Sequence, residues 1–305
     1  MLKQRTLKQT ITTTGIGLHS GKKVTMTLKP APANTGILFK RVDLQPPVII
    51  DSHPERVGET MLCTGLVTET AKVATIEHLL SALAGLGIDN LWIEIDAPEI
   101  PIMDGSAAPF LYLILSTGIQ ELDAPKRFIK ITKPIEARKG DAWARLTPYA
   151  GFKASFEIAF NHPAVNATAQ QLEINFSSQA YASEVARART FGFMRDVEML
   201  RSRNLGLGGS LENAIVLDEY RVINPDGLRY NDEFIRHKIL DAVGDLYTLG
   251  HGIIGAFHGY KAGHAINNLL VRELLKQQDA WDMVTLDETE KSQTIFVDNY
   301  TLAYF

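Results

Sequence analysis

His237-Lys-Ile-Leu-Asp241-Ala-Val-Gly244-Asp245, followed after a short turn by Gly252-Ile-Ile-Gly-Ala-Phe257, decides the fold, because a counterpart lies 159 positions upstream. The same displacement lays His237 on His78, Gly244 on Gly85, Gly252–Phe257 on Ile93–Pro98, and His264-Ala-Ile-Asn-Asn-Leu-Leu on Gly105-Ser-Ala-Ala-Pro-Phe-Leu. Identity between the copies is slight, but one ungapped register accounts for a helix, a strand and a second helix together. The expected fold class is therefore α+β, with two similar domains, each a sheet plus two helices. A chain of 305 residues, 45% apolar, is about twice the usual domain size and can fill two cores.

The 237–245 helix also carries chemistry. Residues four apart share a helix face, with Cβ atoms roughly 5–6 Å apart. Metal bonds of about 2.0–2.2 Å to imidazole nitrogen and carboxylate oxygen close across that gap. His237 and Asp241 thus offer two ligands. His78, in Thr75-Ile-Glu77-His78-Leu-Leu-Ser-Ala-Leu, is the natural third, facing them from the other half. Two histidines and one carboxylate leave a position open for water. The same spacing also occurs as a plain helix-stabilising charge pair, and a lone His is more often a hydrogen-bonded core residue than a ligand. Glu77 projects about 100° around the helix from His78, near the ion's water but outside the ligand direction; the plainer reading is a first-turn Glu favoured by the helix dipole. Asp245 is placed to hydrogen-bond one nitrogen of His264, in the glycine-flanked Phe257-His-Gly-Tyr-Lys261-Ala-Gly263-His264. That would favour an imidazolium able to deliver a proton from its other nitrogen. Lys238 and Lys261 read either as contacts for an anionic substrate group or as solvated lysines.

Composition narrows the partners. With 31 basic and 35 acidic residues and no long run of either, there is no basic face for nucleic acid. The single Cys63 excludes an internal disulfide and a cysteine-rich zinc site, and fits a reducing compartment. No stretch approaches the roughly 20 apolar residues of a membrane span. A soluble, cytoplasmic, monomeric protein is expected.

Along the chain, alternating segments at 6–14, 23–29 and 35–41 read as half-buried strands of an opening β meander. A helix from about Ile76 to Leu86, ended by Gly85 and Gly87, precedes a strand at Leu91–Asp96, and a second helix runs to about Ser116. The polar, proline-containing Glu121–Arg127 reads as a linker that divides residues 1–125 from 126–305. In the second half, Phe191, Phe193, Met194, Val197, Leu200, Leu205 and Leu207 form an apolar set larger than a connection needs. It reads as a passage for an acyl chain or as the small core of an insert. Thr190 offers a hydroxyl to a developing oxyanion. The run Leu205-Gly206-Leu207-Gly208-Gly209-Ser210 lacks the Lys-Ser/Thr ending of a phosphate loop.

Six separated segments together resemble one family, the UDP-3-O-acyl-N-acetylglucosamine deacetylases. They are Thr13-Thr-Gly-Ile-Gly-Leu-His19-Ser-Gly, Glu77-His78-Leu-Leu-Ser-Ala-Leu, Pro101-Ile-Met-Asp-Gly-Ser, Ala188-Arg-Thr-Phe-Gly-Phe, Leu207-Gly-Gly-Ser-Leu-Glu-Asn-Ala and His237-Lys-Ile-Leu-Asp-Ala-Val-Gly-Asp. The resemblance spans the full chain. It implies zinc on His78, His237 and Asp241, Glu77 as general base, His264 as a charged acid paired with Asp245, and Thr190 on the oxyanion. It assigns Phe191, Lys238, Lys261, Asp196 and His19 to substrate contacts, and an acyl passage to an insert near 190–216 with Val197, Leu200, Gly209, Ser210, Ala214 and Val216. The implied fold packs the two domains with helices inside as a sandwich, a small insert in each and the active site between them. The implied reaction removes the N-acetyl group of UDP-3-O-(3-hydroxyacyl)-N-acetylglucosamine, leaving a free amine and acetate, the committed step of lipid A biosynthesis.

Ferrous iron suits the same ligands as zinc. Two rivals stand beside this reading. The nearer is another zinc hydrolase or a deaminase using the same ligands on a different amide or base, although deaminases usually bring thiolate ligands in a Pro-Cys-type signature, absent here. A non-enzymatic binding module would coordinate its metal fully with protein groups.

Overall fold

A computed structural model describes residues 1–287 as a mixed α+β structure; the end of the expected second domain, 288–305, lies outside the described residues. The first half runs β1 (Lys3–Leu7), β2 (Ile11–Ile16), β3 (Lys23–Pro30), β4 (Ile37–Arg41), β5 (Val48–Asp51), β6 (Val57–Glu59), β7 (Gly65–Val67), β8 (Lys72–Val73), α1 (Glu77–Leu86), β9 (Leu91–Ile95), α2 (Ala108–Thr117) and β10 (Ile119–Pro125). The second begins with β11 (Arg127–Ile131), β12 (Ile135–Lys139), β13 (Ala142–Thr147), β14 (Phe152–Glu157), the short α3 (Pro163–Asn166), β15 (Gln171–Asn175) and the short α4 (Ser178–Ala180). It continues with β16 (Phe191–Phe193), α5 (Met194–Ser202), β17 (Ile215–Leu217), α6 (Glu233–Leu246), β18 (Gly252–Tyr260), α7 (His264–Lys276) and β19 (Trp281–Thr285).

The strand pairing repeats. In the first half the order is β2-β3-β9-β4-β5, with β9 antiparallel to β3 and parallel to β4. In the second, β18 lies antiparallel to β13 and parallel to β14, while β12 and β15 flank these in turn. The antiparallel pair β1–β10 has its counterpart in β11–β19. A small extra sheet, β6-β7-β8 or β16-β17, precedes the long helix of each half.

Three expectations are corrected. The opening strands do not form a meander, because β9, far along the chain, inserts between β3 and β4. Alternation marks a strand without naming its neighbour. The segment 6–14 is two strands, separated at 8–10 and belonging to different sheets. The supposed linker at 121–127 lies largely within β10, paired with β1, and its Pro125 sits at the strand's last position, where a missing N–H is tolerated. Only Lys126 separates β10 from β11, and its buried ammonium donates to both Asp89 oxygens at 2.7 Å and to the Gly87 carbonyl at 2.9 Å.

Helices α1 and α6 pack against each other. Every residue of α1 is buried, as its nearly continuous apolar sequence requires. The helix stops at Gly87, whose φ of 62° is costless without a Cβ, with Ile88 N–H returning to the Leu83 carbonyl at 2.9 Å. Gly85 does not end it: this glycine lies inside the helix, where a Cβ would come within 2.2 Å of the Tyr181 ring. Its counterpart Gly244 marks the crossing of α1 and α6, where a Cβ would stand 2.0 Å from the Glu77 carbonyl oxygen.

Candidate metal centre

That crossing brings His78, the second residue of α1, against His237 and Asp241 of α6. Asp241 Oδ1 lies 3.3 Å from His237 Nε2 and 3.6 Å from His78 Nε2. The two imidazole rings meet edge to face, their centroids 5.0 Å apart. Two bonds of about 2.1 Å at a tetrahedral angle separate their donor atoms by about 3.4 Å, so these spacings fit a shared ion. His237 Nδ1–H donates to the Ala188 carbonyl at 3.0 Å, which fixes the tautomer and leaves Nε2 bare. Burial pushes the His237 pKa down to about 3, against the pull of Asp241, so the ring is neutral and able to ligate. Burial opposes ionisation of Asp241 too, but the neighbouring positive charge of Lys238 holds it well below the usual carboxylate range. Its Oδ1 is buried with no hydrogen-bond donor, while Oδ2 accepts from Lys238 Nζ at 2.6 Å. An anionic oxygen left bare beside two imidazole nitrogens is the donor set of a divalent cation. It is the only such cluster of three His, Cys or acidic residues among the described residues.

Glu77 and His264 flank this set. Glu77 opens α1, and its Oε2 accepts the Thr64 N–H at 2.9 Å; burial, above all, raises its pKa. His264 opens α7, with Nδ1 2.9 Å from Asp245 Oδ2. That oxygen also accepts from Asn267 Nδ2 at 2.9 Å, and Asp245 Oδ1 accepts the Thr64 hydroxyl at 2.5 Å. Burial alone would lower the His264 pKa, but Asp245, then Glu77 and Asp241, raise it to about 9. His19 lies near enough to feel the His264 charge, and burial, above all, lowers its pKa.

His264 is therefore cationic at neutral pH. Because its folded pKa is raised, its contribution to stability is complete below its unfolded pKa and is lost as pH rises through about 9. If the cation is needed for turnover, the pH–rate profile falls through about pH 9, and this limb vanishes in His264→Gln. A limb unchanged in that variant would remove His264 from the proton inventory.

Of the other residues singled out from the sequence, Phe191 reaches this centre, and the rest are placed by their own contacts. Ala188 holds His237, and the following Thr190 is fixed by its N–H to the Gly105 carbonyl and by its own carbonyl to Ile215 N–H, both at 2.8 Å. The Phe191 ring lies edge-on to His237 at 6.4 Å. Strand β16 pairs with β17, placing Gly192 opposite Val216. The glycine run meets the His19 turn: Leu207 N–H donates to the His19 carbonyl at 3.2 Å and Gly208 N–H to Leu18 at 3.0 Å. Gly209 packs beside Leu18, the Ser210 N–H donates to Asn213, and Ala214 N–H returns to Ser210. Val197 and Leu200 are half-buried on α5, whereas Met194, Met199, Leu207 and Leu211 are exposed.

Two of the singled-out lysines are held by carboxylates. Lys238 is engaged by the second oxygen of Asp241, and Lys261 by Asp141 Oδ2 at 2.6 Å. No described hydrogen bond ties Asp196 to the metal cluster. Thr64, Asn267 and the Ala188 carbonyl escaped the sequence reading: a backbone acceptor leaves no residue-type signal, and a Thr or Asn in an apolar context looks like any other.

No helix among the described residues is long and apolar enough to cross a membrane. Residues 4–276 match the family model of LpxC, UDP-3-O-acyl N-acetylglycosamine deacetylase. The UDP-3-O-acyl-N-acetylglucosamine deacetylase of Thioalkalivibrio sulfidiphilus is 57% identical over 295 residues, 97% of each chain. That of Methylococcus capsulatus is 58% identical over 288 residues, 94% of this chain and 95% of the relative. That of Vibrio cholerae is 56% identical over 305 residues, 99% of this chain and all of the relative.

Proposed function

The chain belongs to the LpxC family of UDP-3-O-acyl N-acetylglycosamine deacetylases, and we propose that its deacetylation in lipid A biosynthesis is carried by the α1–α6 crossing. The observation that carries this reading is the meeting of two imidazole nitrogens and a bare carboxylate oxygen, flanked by a buried Glu and an Asp-paired His. His78, His237 and Asp241 would hold zinc, or ferrous iron, which suits the same donors. When bound, the cation supplies Lewis acidity toward the acetamide carbonyl and its attacking water.

Glu77 takes the proton of that water; its raised pKa makes it a better base than a surface carboxylate while a protein amide holds one oxygen still. The Thr190 hydroxyl donates to the oxygen on which negative charge collects. His264, cationic through Asp245, or the now protonated Glu77, gives a proton to the departing amine, which would otherwise be too basic to leave. Acetate and the free glucosamine amine are the products.

Phe191, Lys238, Lys261, Asp196 and His19 are assigned to the remainder of the substrate. Val197, Leu200, Gly209, Ser210, Ala214 and Val216 are assigned to the acyl passage. The repeated strand pairing and the α1–α6 packing support division at 125/126 into two domains, sandwiched with their helices inside and the active site between them. The working state is a cytoplasmic monomer.

Incubation with UDP-3-O-(3-hydroxyacyl)-N-acetylglucosamine tests the reading. Acetate and free amine should form in equal amounts, cease after metal removal, and resume when zinc or ferrous iron is restored. Turnover that survives metal removal would refute it.

A further inference from the structure

Among the described residues, Thr64 is the one tied to the side chains of both the base and the acid's partner. It precedes β7, in the small sheet of the first half, and is 1% exposed. Its N–H donates to Glu77 Oε2 at 2.9 Å, and its carbonyl accepts from Ile76 N–H at 3.1 Å, so its backbone braces the first turn of α1 on both sides. No side chain caps that helix, so this bracing replaces a cap. The Thr64 hydroxyl then crosses to the second half, donating to Asp245 Oδ1 at 2.5 Å. The hydroxyl is the donor of this bond and the carboxylate oxygen the acceptor. Three donors on two oxygens, Thr64, Asn267 and His264, leave the Asp245 carboxylate little freedom to rotate.

We propose that Thr64 is a positioning residue for the deacetylation, setting the separation of Glu77 and His264 by holding one directly and the other through Asp245. This rests on the roles given above to Glu77 and His264. Catalytic groups work only when held near reacting geometry, and a displacement of about 1 Å costs up to roughly 100-fold in rate. Thr64 touches neither the proposed metal ligands nor the reacting atoms through any described bond, so its effect belongs to kcat and not to metal loading.

The test compares Thr64→Val, which keeps volume and the backbone amide but deletes the hydroxyl, with Thr64→Ser, which restores it. Thr64→Val should lower kcat by about 10- to 100-fold, with KM within about twofold and metal content unchanged, and Thr64→Ser should recover most of the loss. Introduced into His264→Gln, Thr64→Val should cost little more, because its hydroxyl acts through a chain already broken. Independently of activity, the His264 Nδ1 proton should give a slowly exchanging NMR signal in wild type and Thr64→Ser, and a fast-exchanging one in Thr64→Val. Unchanged kcat in Thr64→Val, equal losses in the Val and Ser variants, or additive losses with His264→Gln would overturn the proposal. So would failure of both Thr64→Val and Thr64→Ala to fold, which would make the hydroxyl a folding determinant. If Glu77→Gln itself remains active, the underlying assignment fails instead.

Discussion

Glu77→Gln is expected to lower kcat by about 10²- to 10⁴-fold, the usual contribution of a general base, with metal content and fold intact. The carboxamide has nearly the same shape, and its oxygen can still accept the Thr64 N–H that binds Oε2 at 2.9 Å. What it lacks is a basic oxygen for the proton of the attacking water. Burial disfavours the Glu77 anion, so removing that charge leaves thermal stability unchanged or slightly higher, which separates this effect from unfolding. Melting curves, metal analysis and acetate release on the same preparation check all three. Activity within about tenfold of wild type would assign the base elsewhere.

Gly244→Ala is expected to damage both the fold and the metal site through a single methyl group. The added carbon would stand 2.0 Å from the Glu77 carbonyl oxygen, 2.7 Å from its carbonyl carbon and 3.0 Å from its Cα. These are backbone atoms of a buried helix and cannot rotate away, so α1 and α6 must separate. Overpacking of this kind costs about 1–3 kcal/mol and sometimes more. Separation would also carry His78 away from His237 and Asp241, weakening metal retention together with the melting temperature. Gly85→Ala is the control. Its clash is with the side chain of Tyr181, whose hydroxyl also bonds Ser81 at 2.7 Å. It should lose stability while retaining the ion. Gly244→Ala with unchanged metal affinity and melting temperature would mean that the crossing does not set the ligand geometry.

Local periodicity made much of this legible. The four-residue spacing of His237 and Asp241 put them on one face of α6, and the ungapped register with His78 and Gly85 pointed to a matching helix that does pack against it. The Asp245–His264 contact followed from the same stripe, one turn on. Pairing was less legible, since hydrogen-bond partners of a strand lie at arbitrary sequence distance. The polar composition of 121–127 looked like a linker because half of an edge strand faces water, while its true determinant is β1, more than a hundred residues earlier. The Lys238–Asp241 contact was hidden for a related reason: residues three apart on a helix are as close as residues four apart, and the Lys238 ammonium turns back to Asp241. Thr64 was invisible because both of its side-chain and backbone partners are fixed only by the tertiary fold.

The central claim is that one catalytic ion is shared by His78 on α1 and by His237 and Asp241 on α6. Metal analysis paired with acetate release, on wild type and on His78→Ala, His237→Ala and Asp241→Ala, tests it most directly. One ion per chain in the wild type, with both ion and turnover lost in every variant, is the expected result. Full metal content with full turnover in any one of the three would contradict it.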